Sequence, residues 1–160
     1  MGLLIIGKII VVNKIRVFRG ESVKAKEILQ EYSRNLKRVA MLEYDLKCID
    51  NQTLIKVTDY SQDHGGNGGG IEDKYWRRIE EKKMIELELS VLRPDIARVE
   101  KALDLIRTTH PQECDAMLLR HVRNKSNPAI EIALGISVNT ITKKIRCAES
   151  ELEMLYKSAA

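Results

Sequence analysis

Between Val23 and Ile49, apolar residues recur at three- and four-residue steps or their multiples: Leu29, Tyr32, Leu36, Val39 and Leu46. Lys24, Lys26, Glu27, Arg34, Lys37 and Lys47 are among the polar positions between them. This spacing draws one apolar stripe along a helix of 3.6 residues per turn and predicts a helix over 23–50. The periodicity then stops. Residues 51–70 contain Asn-Gln-Thr, Ser-Gln-Asp and the run Gly65-Gly66-Asn67-Gly68-Gly69-Gly70, too costly in backbone entropy to order without strong contacts, so a flexible linker is expected. A second helical pattern covers 71–107. Its apolar positions Ile85, Leu89, Leu92, Ile96, Val99, Leu103 and Ile106 alternate steps of four and three, which is a heptad seam over three repeats. Pro94 has no N–H to give and predicts a kink or a helix restart near Arg93. The partner of the seam is either the first helix folded back or a second subunit, and the second case makes 85–106 a homo-oligomer interface. Periodicity admits both.

The last fifty residues are punctuated differently. His110-Pro111 reads as a helix start, with Thr109 or His110 near the cap, and Cys114, Met117, Leu118 and Val122 supply the apolar face that follows. Asn127-Pro128 is a second start, with Asn127 as the capping side chain. That helix is short, Pro128 to Leu134, and ends at Gly135, a residue suited to positive φ. Ser137 caps a third helix, with Val138, Ile141 and Ile145 on one face. Two short helices, a tight glycine turn and a longer helix make the helix-turn-helix arrangement, expected over 108–157. The expected fold is therefore all-α: long heptad-patterned helices joined by a Gly-rich linker, then a C-terminal helix-turn-helix.

The opening residues 1–22 stand apart. Their uninterrupted apolar core, Ile9 to Val12, is short and is flanked by Lys8, Lys14 and Arg16, so it cannot span a bilayer. A secretory signal needs a small-residue cleavage site, and Arg16-Val17-Phe18-Arg19 stands there instead. A β-strand and a membrane-surface segment stay open. The genetic code offers a third reading: Arg19-Gly20-Glu21 can be encoded by a purine-rich stretch like a bacterial ribosome-binding site, and Val23 by GTG. We expect translation to begin naturally at Val23, with 1–22 a translated leader.

Composition narrows the function. Aromatics are 4% of 160 residues, with one Trp and one Phe, which argues against a β-sandwich. A net charge of +4 excludes a polycation but allows a local basic surface. Over 71–107 nine basic residues meet nine acidic ones, so that helix carries a mixed solvent face and implies no ligand. Cys48, Cys114 and Cys147 form no Cys-x-x-Cys pair, and with only His64, His110 and His121 to join them they lack zinc spacing; reduced thiols in a cytosolic protein are expected. The glycine run is not a phosphate-binding loop, because no Gly-Lys-Ser/Thr follows and no βαβ unit surrounds it. Trp76, in Lys74-Tyr75-Trp76-Arg77-Arg78, is expected to cover the end of a core, with base stacking the alternative. No histidine is placed beside a Ser, Cys or carboxylate partner, and Glu80-Glu81 reads as a solvated pair. We therefore expect no catalytic residue, no cofactor and no metal.

One segment has the makings of a binding surface. Ser137 to Cys147 contains Lys143, Lys144 and Arg146 and no acid. The first turn of its helix offers Ser137, Asn139 and Thr140, short groups that reach phosphates or base edges from the major groove, and Thr142 follows. Asn139 suits a two-pronged bond to adenine, and Thr140 or Val138 a thymine methyl. Lys143 and Arg146 are expected nearer the backbone, with Lys144 between these roles. Glu149, Glu151 and Glu153 then turn the helix acidic, so DNA contact should end before Ser150.

The stretch Leu134-Gly135-Ile136-Ser137-Val138-Asn139-Thr140-Ile141 resembles the promoter-reading region 4 of bacterial sigma factors and related sigma-like regulators. Leu118-Leu119-Arg120-His121-Val122, five residues, then Pro128-Ala129-Ile130 fit the same pattern without gaps through Leu152. Ile130, Leu134, Ile136, Ile141 and Ile145 fall where it needs core residues. One position departs: four before Gly135 the pattern is usually small, and here it is Glu131. The wider layout, Val23 to Tyr156, resembles the RinA/ArpU-like transcriptional regulators of phages of Gram-positive bacteria, on motifs confined to 111–152. That resemblance implies an activator of late phage genes in the bacterial cytoplasm. Its partners would be double-stranded promoter or operator DNA and RNA polymerase, without a membrane. A small terminase subunit is the alternative, although its helix-turn-helix commonly precedes the assembly helices. A minor sigma-like factor would need a region for melting the −10 element, and an adaptor using only the seam would leave the basic helix unexplained.

Overall fold

The computed structural model describes residues 23–56 and 71–158. They form five helices and no strand: α1 (Ala25–Lys56), α2 (Ile71–Thr109), α3 (Pro111–His121), α4 (Asn127–Leu134) and α5 (Val138–Ser158). The all-helical class read from periodicity is the observed one. The expected leader, 1–22, and the glycine run of the expected linker lie outside the described residues. α1 continues into the expected linker as far as Lys56, because Asn51-Gln52-Thr53 contains neither Gly nor Pro and does not stop a helix already under way.

Contacts divide the chain into two compact units, and both long helices contribute to each. In the unit of 34–56 and 71–96, Leu42, Leu89 and Leu92 are buried together, with Val39 and Ile85 packed against them. Each such leucine contributes about 1.5–3 kcal/mol by leaving water. Arg38 grips both carboxylate oxygens of Glu88 at 2.6 and 2.9 Å. Arg93 reaches Glu43 at 2.9 Å and Lys82 reaches Asp50 at 2.8 Å. Early residues of α1 pair with late residues of α2, so the two helices are antiparallel here.

α2 runs unbroken through Pro94, so the restart expected near Arg93 does not occur. Pro94 denies the Ser90 carbonyl its helical donor. Ser90 and Pro94 are both exposed, so the defect falls on the solvent side, while Leu89, Leu92 and Ile96 are buried on the other. Trp76 is 60% exposed and meets Tyr75 edge-on, with centroids 6.2 Å apart. It covers no core, contrary to expectation, because it lies on the face of α2 turned from the Ile85–Leu92 seam.

In the unit of 23–33 and 97–158 the larger cluster joins four helices. Ala25, Ile28 and Leu29 of α1 meet Val99, Ala102, Leu103 and Ile106 of α2, Cys114 and Met117 of α3, and Ala148 and Leu152 of α5. Thus, in each unit, the heptad seam is covered by the chain's own α1. The 85–106 positions are therefore not an open surface for a second subunit.

Candidate nucleic-acid interface

α3 begins as expected, with His110 at the cap and Pro111 in the first turn. It ends through a turn in which the Lys125 N–H donates to the Leu119 carbonyl at 2.9 Å, and Asn124 adopts φ 52°. Asn tolerates this left-handed conformation better than most residues. α4 starts one residue earlier than predicted. Ser126 is the cap, extended at φ −73° and ψ 158°, and its carbonyl accepts the Ile130 N–H at 3.0 Å. The Asn127 side chain, expected to cap, instead accepts a hydrogen bond from Arg120 at 3.1 Å.

α4 closes at Gly135, with φ 65° and ψ 31°, where the Gly135 N–H donates to the Glu131 carbonyl at 2.8 Å. A Cβ at this glycine would meet nothing within 4 Å. The backbone angle alone therefore requires glycine here. Two residues later the Ser137 carbonyl accepts the N–H groups of Thr140 and Ile141 and opens α5, and the Ser137 and Thr140 hydroxyls bond each other at 2.9 Å. Ala116, Ile130, Ile141 and Ile145 are buried together, with Leu119, Leu134 and Ile136 packed around them. Five of these seven are the apolar positions singled out from the sequence.

This small core fixes which side of α5 faces out. Ile141, Ile145, Ala148 and Leu152 form its buried stripe. At 100° per residue, Asn139, Lys143 and Arg146 fall on the opposite side, four and three residues apart. All three are exposed, and none has a side-chain partner among the described residues. Thr142 is exposed on one flank, within 3.5 Å of the Val138 carbonyl.

Lys144 is placed differently. Its ammonium sits 2.6 Å from Glu113 of α3, with both side chains largely covered. The hydrogen bond from Lys144, helped by a backbone N–H, holds the Glu113 carboxyl below its ordinary pKa. The acids that follow are also turned inward: Glu149 lies 2.6 Å from His121, Glu151 3.4 Å from Thr109, and Glu153 accepts the Ala25 N–H at 2.8 Å.

The turn after α3 adds cations that sequence reasoning passed over. Arg123 and Lys125 are exposed and without side-chain partners among the described residues. The signal was available as charge density: Arg120 to Arg146 holds six Lys or Arg and one acid, Glu131. This excess is greater than the whole chain's +4, so the chain's positive charge is concentrated in this segment. Such a field attracts a polyanion.

The described residues include no group of three His, Cys, Asp or Glu that could hold a metal, and no helix long and apolar enough to cross a membrane. Cys114 is buried, its thiol 3.7 Å from the Leu103 carbonyl, and burial pushes its pKa up, so it is poorly nucleophilic. No protein-family model, curated protein or solved structure matches the chain.

Proposed function

We propose that α4, the Gly135 turn and α5 are a helix-turn-helix, and that the chain is a sequence-specific DNA-binding regulator of transcription. The observation that carries this reading is the line Asn139–Lys143–Arg146: uncommitted polar and cationic side chains directly opposite the stripe that anchors their helix. With α5 in the major groove, Asn139 bonds adenine and the Thr140 methyl meets thymine, while Lys143 and Arg146 take phosphates. Arg123 and Lys125 are further candidates for backbone phosphates. Lys144 takes a different role from the one its position suggested: tied to Glu113, it braces α5 against α3.

The resemblance to RinA/ArpU-like regulators extends this proposal to activation of late phage genes. DNA binding positions the protein at a promoter, and contact with RNA polymerase falls to surfaces outside the buried seam. No catalytic step is assigned to the chain.

The test captures fragments of the source genome on purified protein, with a Lys143→Ala/Arg146→Ala variant beside it. Enrichment of one intergenic site ahead of structural or lysis genes, lost in the variant, is the expected result. Enrichment at a packaging start would replace this reading with the terminase. The same diffuse background from both proteins would overturn the DNA assignment.

A further inference from the structure

Three glutamates follow the outward cations of α5, and each is held by a group from a different helix: Glu149 by His121 of α3, Glu151 by Thr109 of α2, and Glu153 by the Ala25 N–H of α1. Glu149 is the one that bears on binding. It stands three residues after Arg146, so the two side chains are neighbours on the helix surface. No other Lys or Arg lies three or four positions from it. A helix with this spacing can close an Arg146–Glu149 ion pair, and the guanidinium would then be occupied within the protein.

That pair is not formed. Glu149 Oε1 lies 2.6 Å from His121 Nε2 instead. Arg146 is exposed and has no side-chain partner among the described residues. A carboxylate only accepts hydrogen bonds, so the imidazole is the donor. The His121 and Glu149 side chains are 11% and 28% exposed. A short bond in so sheltered a place outcompetes an exposed ion pair that water and salt screen. At about 100° per residue, Glu149 lies between the buried stripe of α5 and Arg146. Its carboxylate therefore has two directions open, inward to α3 or outward to the cation.

We propose that His121 is a positioning residue for the α5 surface: by holding Glu149 on the protein side, it keeps the Arg146 guanidinium free for a DNA phosphate. His121 needs no contact with DNA to do this. It stands four residues after Met117 and seven after Cys114, both fully buried, so the stripe that packs α3 also fixes the ring. The inference rests on the DNA reading of α5.

Anisotropy of a fluorescent duplex of random sequence, titrated over a range of salt, tests it, because such binding rests on phosphate contacts. Arg146→Ala should lower the slope of log K against log salt by about one. His121→Ala should do the same and weaken binding about tenfold at roughly 0.1 M salt, with helicity unchanged by circular dichroism. Glu149→Gln disturbs the same bond but leaves no carboxylate, so it should keep the wild-type slope and, added to His121→Ala, restore it. In the Arg146→Ala background, His121→Ala should change nothing further. If His121→Ala does not fold, Glu149→Asp takes its place with the same expected loss, since its shorter side chain draws the carboxylate away from the ring. Equal losses in His121→Ala and Glu149→Gln would show a purely structural bond and overturn the proposal. So would a wild-type slope in His121→Ala beside a lowered one in Arg146→Ala. A wild type that does not bind the duplex would instead remove the DNA reading, and the role of His121 with it.

Discussion

At Gly135 a single backbone angle decides whether two helices can meet at a tight turn. Because a Cβ there would touch nothing, the cost of replacement is conformational alone. Gly135→Ala should lower stability by about 1–2 kcal/mol, and Gly135→Asn by less, measured by denaturant unfolding. Equal losses would show that side-chain crowding, not φ, sets the requirement. Glu113 gives a pH-dependent counterpart. Its folded pKa lies below the ordinary value, so its contribution is full above the unfolded carboxylate pKa and lost as pH falls through the folded one. Glu113→Gln should cost roughly 1 kcal/mol at pH 7, and the gap to wild type should begin to narrow below about pH 4 and close only below the folded pKa. A gap constant from neutral to acid pH would show that Lys144 contributes packing rather than charge.

At the scale of the elements, most of the helices could be read from spacing and punctuation. The heptad positions are buried apart from half-buried Ile85, and Gly135 and His110-Pro111 fall at helix ends as read. Each difference has its own physical cause. Asn127-Pro128 reads as a cap and first helical residue because proline favours that position, yet proline is also accepted at the second, leaving Ser126 to cap. Ile28 and Leu42, among the most buried residues of α1, were missed because the stripe was anchored on Leu36, which is exposed. Pro94 predicts a kink or a restart near Arg93, and the restart does not occur, because buried leucines and isoleucine on the opposite side outweigh one lost hydrogen bond. Pro94→Ala, by returning a donor to the Ser90 carbonyl, should therefore stabilise the protein by about 1–3 kcal/mol. A lower melting temperature in that variant would mean the helix pair depends on a bend at this point.

Across the whole molecule, periodicity identified where the seam was but not what covered it, since an apolar stripe looks the same whether its partner is intramolecular or not. The candidate interface was legible as residue types at the start of α5. It was not legible as geometry, because nothing in Lys143-Lys144 tells which lysine points outward: burial of Ile141 and Ile145 settles that, and Glu113 captures the second. This difference should appear in solution. If the DNA reading holds, Lys143→Ala should reduce the slope of log K against log salt by about one, and Lys144→Ala should leave the slope unchanged while lowering stability. Asn139→Ala should cost about 1–3 kcal/mol at a single position of the site. Equal salt slopes for both lysine variants would argue against the outward face as the binding surface.

The bond from the Ala25 amide to Glu153 joins residues 128 positions apart. α1 is the first described helix to leave the ribosome, yet one of its opening amides is satisfied only by a carboxylate from the last helix. At roughly 5–20 residues per second, that carboxylate arrives on the order of ten seconds later. Ala25, Ile28 and Leu29 wait equally long for Ala148 and Leu152. Through that interval the start of α1 can meet Val99, Leu103 and Ile106 of α2 but not its α5 neighbours, and a message broken before codon 148 would release a product whose early helix keeps that part of its apolar face uncovered.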